Sequence, residues 1–293
     1  MRIVRTVDEA HAASAQIKRE GKRLVLVPTM GALHEGHLSL VRAARAQGDV
    51  VAASIFVNPL QFGPNEDFNR YPRVFESDCA KLQAEGVALV FAPTPEEMYG
   101  PESHRASTTF VEVPGISEKL EGRTRPGHFR GVATVVSKLF HILEPEAAFF
   151  GQKDAQQVAV IRRMVQDLNL PVRLLVGPIV REPDGLAMSS RNAYLDPAHR
   201  KAATVLYGAL MRVQALADAG EPNASILAQH GRQVIAEEPL ARLDYLEIVN
   251  PDSFDPVEDV GQGATVVTAA YLGSTRLIDN LVLHAVGQSS GAR

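Results

Sequence analysis

Leu24-Val25-Leu26-Val27-Pro28-Thr29-Met30-Gly31-Ala32-Leu33-His34-Glu35-Gly36-His37-Leu38-Ser39-Leu40-Val41-Arg42 is the segment around which the chain is organised. Leu24 to Val27 is a short, β-branched apolar run, the pattern of a strand buried on both faces. Pro28 has no N–H to donate and is expected to end the ladder. Gly31 permits a tight turn, and a helix is expected from about Leu38, with Leu38, Val41 and Ala44 on one side. Strand, glycine turn and helix together point free backbone N–H groups at an anion. His34 and His37 lie in the turn, three residues apart, and share a face if the segment is helical. An imidazole donates to phosphate oxygens and carries charge near neutral pH; the plainer alternative is a helix cap and a solvated turn residue. The zinc-protease pattern needs histidines four apart, so zinc is disfavoured.

Outward from this segment, strands and helices alternate. A helix is expected over Val7–Arg19 and strands at Val50–Val57, Val87–Phe91, Thr108–Val113 and Val172–Val180. Further helices are expected at Glu76–Glu85 and Val132–Leu143. Asn58 to Asn65 is a polar, Gly- and Pro-rich loop at a strand's end, where open α/β sheets bind ligands. Gln61 in it suits a substrate bearing hydroxyl and carboxylate groups, or is simply a solvated glutamine. Arg123 to Gly131 is basic and reads as a lid over phosphates or a solvated face. Ala147 to Gln157 repeats the first design: apolar strand, Gly151, then a helix from Asp154 to about Leu168 with Asp154 as N-cap. Lys153 at its mouth is a compact cation suited to phosphate, and Gln157 is placed to face the same cavity. In Arg181 to Asn192, Ser189, Ser190 and Arg191 suit phosphate recognition or form a linker with a cap.

The expected fold is therefore α/β, a doubly wound parallel sheet over residues 1–180, with a smaller α+β domain over 181–293. The second domain is expected to hold helices at His199–Ala219 and Ala224–Glu238, and strands at Leu243–Val249, Ala264–Leu272 and Leu277–His284; the tail Gln288–Arg293 is expected to be disordered. At 293 residues, 45% hydrophobic and 22% charged, the composition is that of a soluble globular protein. The net charge of −4 provides no electrostatic footprint for nucleic acid. A lone cysteine, Cys79, excludes an internal disulfide and any multi-cysteine metal site. No secretory h-region opens the chain and no run of about 18 apolar residues occurs, so a cytoplasmic location, with no membrane partner, is expected.

Pro28 to His37 resembles the HIGH-type motif of the nucleotidylyltransferase superfamily, and in full the motif of the pantothenate synthetase family. Val57-Asn58-Pro59-Leu60-Gln61-Phe62, Gly151 to Gln157, and Met188-Ser189-Ser190-Arg191-Asn192 match the same family in the same order. The resemblance spans essentially the whole chain and implies a Rossmann-like nucleotidylyltransferase fold. It implies condensation of pantoate with β-alanine through a pantoyl adenylate, ATP being cleaved to AMP and pyrophosphate. By that resemblance Met30, Gly31, Ala32, Leu33, His34, Glu35, Gly36 and His37 line the ATP site, with His37 as proton donor. Gly151, Gln152, Lys153, Asp154, Val180, Met188, Ser189, Ser190 and Arg191 complete it, and His34, His37, Lys153 and Arg191 are the catalytic candidates. Gln61 and Gln157 are implied for pantoate, Gln61 also for β-alanine. Magnesium is implied on the phosphates, with Asp78 as candidate ligand, and a homodimer is implied. Gln152 and Ala155 depart from the Glu and aromatic residue frequent in the family. Competing readings are a nucleotidylyltransferase acting on a phosphate acceptor, against which Gln61 and Gln157 argue, and a non-catalytic nucleotide-binding module. An RNA-binding relative lacks the basic, aromatic face it would need.

Overall fold

A computed structural model describes residues 1–64, 66–101 and 109–285. The chain divides into two units, Met1–Gly151 with Gln156–Pro178, and Gln152–Ala155 with Ile179–Arg293. The expected disordered tail lies outside the described residues.

The first unit runs β1 Arg2–Val4, α1 Val7–Arg19, β2 Leu24–Thr29, α2 Glu35–Arg45, β3 Val50–Ile55, α3 Phe75–Ala84, β4 Leu89–Phe91, α4 Pro95–Tyr99, α5 Leu120–Thr124, α6 His128–Leu143, β5 Ala147–Gly151, α7 Ala155–Asp167 and β6 Arg173–Gly177. The strands form a six-stranded parallel sheet in the order β1-β4-β3-β2-β5-β6. Val25, Val27, Val51, Ala53, Ala147 and Phe149 share one core with Leu40, Val41 and Ala44 of α2 and Leu82 of α3. The alternate residues Leu24, Leu26, Ala52 and Ala148 are equally buried. On that face Phe150 meets Phe140 of α6, and Ser14 of α1 donates to the Leu143 carbonyl. Burial on both faces is why β2 reads as an unbroken apolar run rather than an alternating one.

Pro28 does not end β2. Its register partner is Ser54 of β3, and Thr29 still pairs with Ile55. The amide of Thr29 turns toward β3, donating to Ser54 Oγ, so the missing N–H of Pro28 falls on the opposite, β5 side. There the pairing has already stopped at Leu26, and the ladder loses nothing. Other boundaries differ for equally local reasons. α2 begins at Glu35, not Leu38, because His34 caps it. α6 begins at His128, four residues early, because Gly127 adopts a left-handed φ of 83° that launches the helix from the basic loop. The strand expected at Thr108–Val113 is not formed: Thr108 is outside the described residues, and 109–113 carry no strand. The Val111 N–H goes instead to Thr134 Oγ1 of α6.

The second unit contains α8 Pro197–Ala202, α9 Val205–Asp218, α10 Ala224–Ala236, β7 Ala241–Val249, β8 Ala264–Leu272 and β9 Thr275–Leu283. The strands form an antiparallel sheet in the order β7-β8-β9. Its core joins Leu206, Leu210 and Val213 of α9, Leu227 and Ile235 of α10, and Leu246, Val266 and Leu277 of the sheet. The single helix expected over His199–Ala219 is broken. Thr204 Oγ1 donates to the Lys201 carbonyl at 2.9 Å, the side-chain competition that makes threonine a poor interior helix residue.

Candidate active site

The strand order of the first unit reverses between β2 and β5, and the crevice beyond the carboxyl ends of such a pair is where open α/β sheets hold ligands. The segment leaving β2 there is tightly internal. Gly31 and Ala32 both have positive φ, 81° and 52°, a strained conformation for alanine. Asp78 of α3, 1% exposed, holds it: its two carboxylate oxygens accept the Ala32 and Leu33 N–H groups, each at 2.8 Å. One turn on, Lys81 donates to the Leu33 carbonyl at 2.6 Å. This geometry corrects two expectations. Asp78 is occupied in anchoring the loop, which does not fit the magnesium ligand expected of it. Among the described residues no group of three or more His, Cys, Asp or Glu is placed to hold a metal. Nor are the loop amides an anion nest. Gly31 N–H goes to Thr29 Oγ1, His37 N–H to the His34 carbonyl and Gly36 N–H to His34 Nδ1.

Polar chemistry at this point therefore falls to the imidazoles. His34 Nδ1 accepts from Gly36 N–H at 3.2 Å, and His37 Nδ1 accepts a longer bond from His34 N–H at 3.4 Å. The two rings lie 4.1 Å apart, centroid to centroid. An Nδ1 that accepts cannot carry the proton, so in the neutral form each ring holds it on Nε2. Each histidine is thus a cap through Nδ1, and the cap orients the ring. Glu35, between them, pairs with Arg42 on the surface.

Gln61 is 7% exposed, not solvated. It ends the 3₁₀ turn Pro59–Gln61, capped by Asn58, whose Oδ1 accepts from Leu60 N–H at 3.2 Å and from Tyr99 Oη–H at 2.8 Å. Those bonds turn Asn58 Nδ2 toward Gln61 Oε1, 2.9 Å away, and the Gly131 carbonyl, 3.1 Å away. Asn58 takes one lone pair of Gln61 Oε1 and so orients the amide. A Cβ at Gly131 would stand 2.1 Å from the Leu60 carbonyl oxygen, so only glycine lets α6 approach this turn. The basic loop is divided: Arg123 and Arg130 are exposed, whereas Arg125 and His128 turn to partners within the fold. Arg125 forks onto Glu66 at 2.9 and 2.6 Å, and His128 Nδ1 lies 2.8 Å from the Gln61 carbonyl. In α7, Gln156 is spent on the fold, donating to the Ile116 and Lys119 carbonyls; its neighbour Gln157 is half-buried.

In the second unit, Gln152, Lys153 and Asp154 form a 3₁₀ turn. Lys153 Nζ is 3.9 Å from Asp154 Oδ1 and its side chain is 21% exposed. The Val180 carbonyl accepts from Met188 N–H at 3.0 Å, which closes a loop stabilised by the Arg181–Ala187 bridge. Ser189 caps the following 3₁₀ turn Ser190–Tyr194 by accepting from Arg191 N–H at 3.2 Å. Asp78, Asn58 and Gly131 were not read from sequence in these supporting tasks, because each acts through a partner tens of residues away.

A doubly wound parallel sheet with a histidine-capped helix at its switch point defines a class: the open α/β proteins that bind ligands beyond the carboxyl ends of their strands. The family model for pantoate–β-alanine ligase matches residues 2–282. A pantothenate synthetase of Koribacter versatilis is 62% identical over 293 residues, covering 100% of this chain and 99% of that protein. One from Thermotoga neapolitana is 52% identical over 283 residues, covering 97% and 100%. A crystal structure of pantothenate synthetase from Thermus thermophilus matches with a TM-score of 0.89 at 48% identity, covering 96% of this chain and 99% of that one. Pantoate–β-alanine ligase from Francisella tularensis, solved with β,γ-ATP and β-alanine, matches with a TM-score of 0.78 at 32% identity over 96% and 97%. The chain belongs to the pantoate–β-alanine ligase family.

Proposed function

We propose that this chain condenses pantoate with β-alanine at the expense of ATP, through a pantoyl adenylate. The observation that carries the reading is the pair of imidazoles held through Nδ1 by the backbone that follows β2, within a family whose relatives are named for this reaction. In the first step a pantoate carboxylate oxygen attacks the α-phosphorus of ATP, and the bond to pyrophosphate breaks. Negative charge gathers on the leaving group, and positioned N–H donors stabilise it. His37 and His34 suit that task, His37 donating the proton; Lys153 and Arg191 are assigned to phosphate oxygens, and Ser189, Ser190 and the Met30–Leu33 segment to the nucleotide. In the second step the β-alanine amine attacks the acyl carbon, loses a proton and expels AMP. The donor face of Gln61 suits the pantoate oxygens, and Gln157 is assigned beside it. The substrate supplies its own nucleophile, so no activated serine or cysteine is called for. Magnesium enters with ATP, on phosphates and water, the manner in which this ion is commonly held; Asp78 is not given to it. A homodimer acting in the cytoplasm completes the reading, on the strength of the family resemblance; among the described residues no helix is long and apolar enough to cross a membrane.

Purified protein with ATP, magnesium and pantoate tests this. Pyrophosphate should form only when pantoate is present, and sustained AMP release should require β-alanine as well. ADP and phosphate as products, or AMP release indifferent to β-alanine, would refute it.

A further inference from the structure

β9 carries two adjacent polar residues in its buried stretch, Asp279 at 3% and Asn280 at 2% exposure. Neighbouring strand residues face opposite sides, and each holds a different segment of the second unit. Asn280 Nδ2 donates to the Gln152 and Lys153 carbonyls, both at 2.9 Å, and its Oδ1 accepts from Gln152 Nε2 at 3.1 Å. Both amide hydrogens and the amide oxygen are thereby used on a single three-residue turn. Asp279 takes Arg181 in a fork, at 2.6 and 3.0 Å, and accepts the Asn280 N–H at 2.8 Å. Arg181 also donates to the Gly185 carbonyl at 3.0 Å and lies over the Tyr207 ring at 4.3 Å, so it fixes the loop that leads to Met188–Arg191.

A turn this short has few ways to hold a fixed backbone path. The Gln152–Asp154 turn is too short to form an interior hydrogen-bonded helix, and two of its three carbonyls end on one asparagine. A lysine on such a turn reaches a constant point in space only if the turn itself does not shift. The side chain of Lys153 is flexible, so the backbone must supply the precision.

We propose that Asn280 is a positioning residue for the ATP half-reaction, acting through the Gln152–Lys153 backbone, with Asp279 and Arg181 bracing the same strand against the Val180–Met188 loop. This rests on the reading that Lys153 contacts ATP phosphate. Gln152 takes part directly: its amide donates to Asn280 Oδ1.

The test is made on the full chain with Asn280→Ala, Asn280→Asp, Lys153→Ala and Asn280→Ala/Lys153→Ala. Asn280→Asp keeps the shape and removes both donors. Each Asn280 variant should lower kcat/KM for ATP by about tenfold to a hundredfold, the scale for a small misplacement of a catalytic group. The KM for pantoate should stay within about twofold of the parent, as expected when only one substrate's contacts are lost. In the Lys153→Ala background, Asn280→Ala should cost little more, since the two act as one unit. A lowered thermal midpoint with unchanged kcat/KM for ATP would make Asn280 structural only and overturn the proposal. So would a rise in the KM for pantoate as large as that for ATP, or full additivity with Lys153→Ala. If Lys153→Ala itself leaves ATP kinetics unchanged, the underlying phosphate assignment fails and the proposal falls with it. A defective Lys153→Ala beside a normal Asn280→Ala refutes the proposal alone.

Discussion

His37→Ala is expected to slow pyrophosphate release from ATP and pantoate by roughly two orders of magnitude or more, the usual cost of removing one preorganised donor from a developing charge. The fold should survive, because the cap bond lost is the long one from His34 N–H, and a helix cap contributes about 1 kcal/mol. The ring geometry makes the prediction sharper than a simple deletion. His37 Nδ1 faces the backbone, so the proposed donor atom is Nε2. Glutamine places an amide nitrogen near the Nε2 position, whereas asparagine reaches only as far as Nδ1. His37→Gln should therefore retain more activity than His37→Asn, and His37→Asn should behave like alanine. Pre-steady-state pyrophosphate release on the three variants checks this. Near-parental release in His37→Ala would remove His37 from the chemistry, and an asparagine variant better than the glutamine one would reverse the assignment of the donor atom.

The largest effect on stability is expected from Arg181→Ala. Asp279 is almost wholly buried, with its side chain 1% exposed against 18% for Arg181. Burial pushes its carboxyl up, while the Arg181 guanidinium beside it pulls it down. Removing Arg181 leaves a buried carboxylate uncompensated, which costs about 3–5 kcal/mol. The sign of the pH dependence follows from the direction of the shift. A carboxyl raised in the folded state is favoured when protonated, so stability is present at acid pH and is lost as pH rises through the folded value. The deficit of Arg181→Ala should be smallest in acid and grow toward neutrality. Replacing both partners with apolar residues, Arg181→Met with Asp279→Leu, should recover most of the loss, since a buried pair is often worth little net. Thermal unfolding across pH measures all three. A loss under about 1 kcal/mol at neutral pH, or a double variant worse than the single, would contradict this account of the pair.

What could be read from the sequence was whatever depends on neighbours in the chain. The run Leu24–Val27, buried on both faces, the helix Val7–Arg19 and the paired design of Pro28–His37 and Gly151–Gln157 are local patterns, and the parallel sheet with a smaller α+β domain follows from their order. The errors have long-range causes. Pro28 was tolerated within β2 because β5 had already left that edge. β1 is three residues long and gains its place only by pairing with β4, 87 residues later in the chain. The free amides expected after Gly31 were claimed by Asp78, which no local pattern links to that loop. The burial of Gln61 depends on Asn58, Tyr99 and Gly131 meeting from three elements. The histidine pair was legible as residues but not as geometry: whether each was cap or donor turned on which ring nitrogen faced the backbone.

The central claim is that the pantoate carboxylate attacks the α-phosphorus of ATP. Pantoate labelled with ¹⁸O in its carboxylate, turned over with ATP and β-alanine, tests it directly by mass spectrometry of the nucleotide product. One labelled oxygen should appear in AMP, carried across when the acyl–oxygen bond of the adenylate breaks. Unlabelled AMP, or label found in inorganic phosphate beside ADP, would contradict the claim.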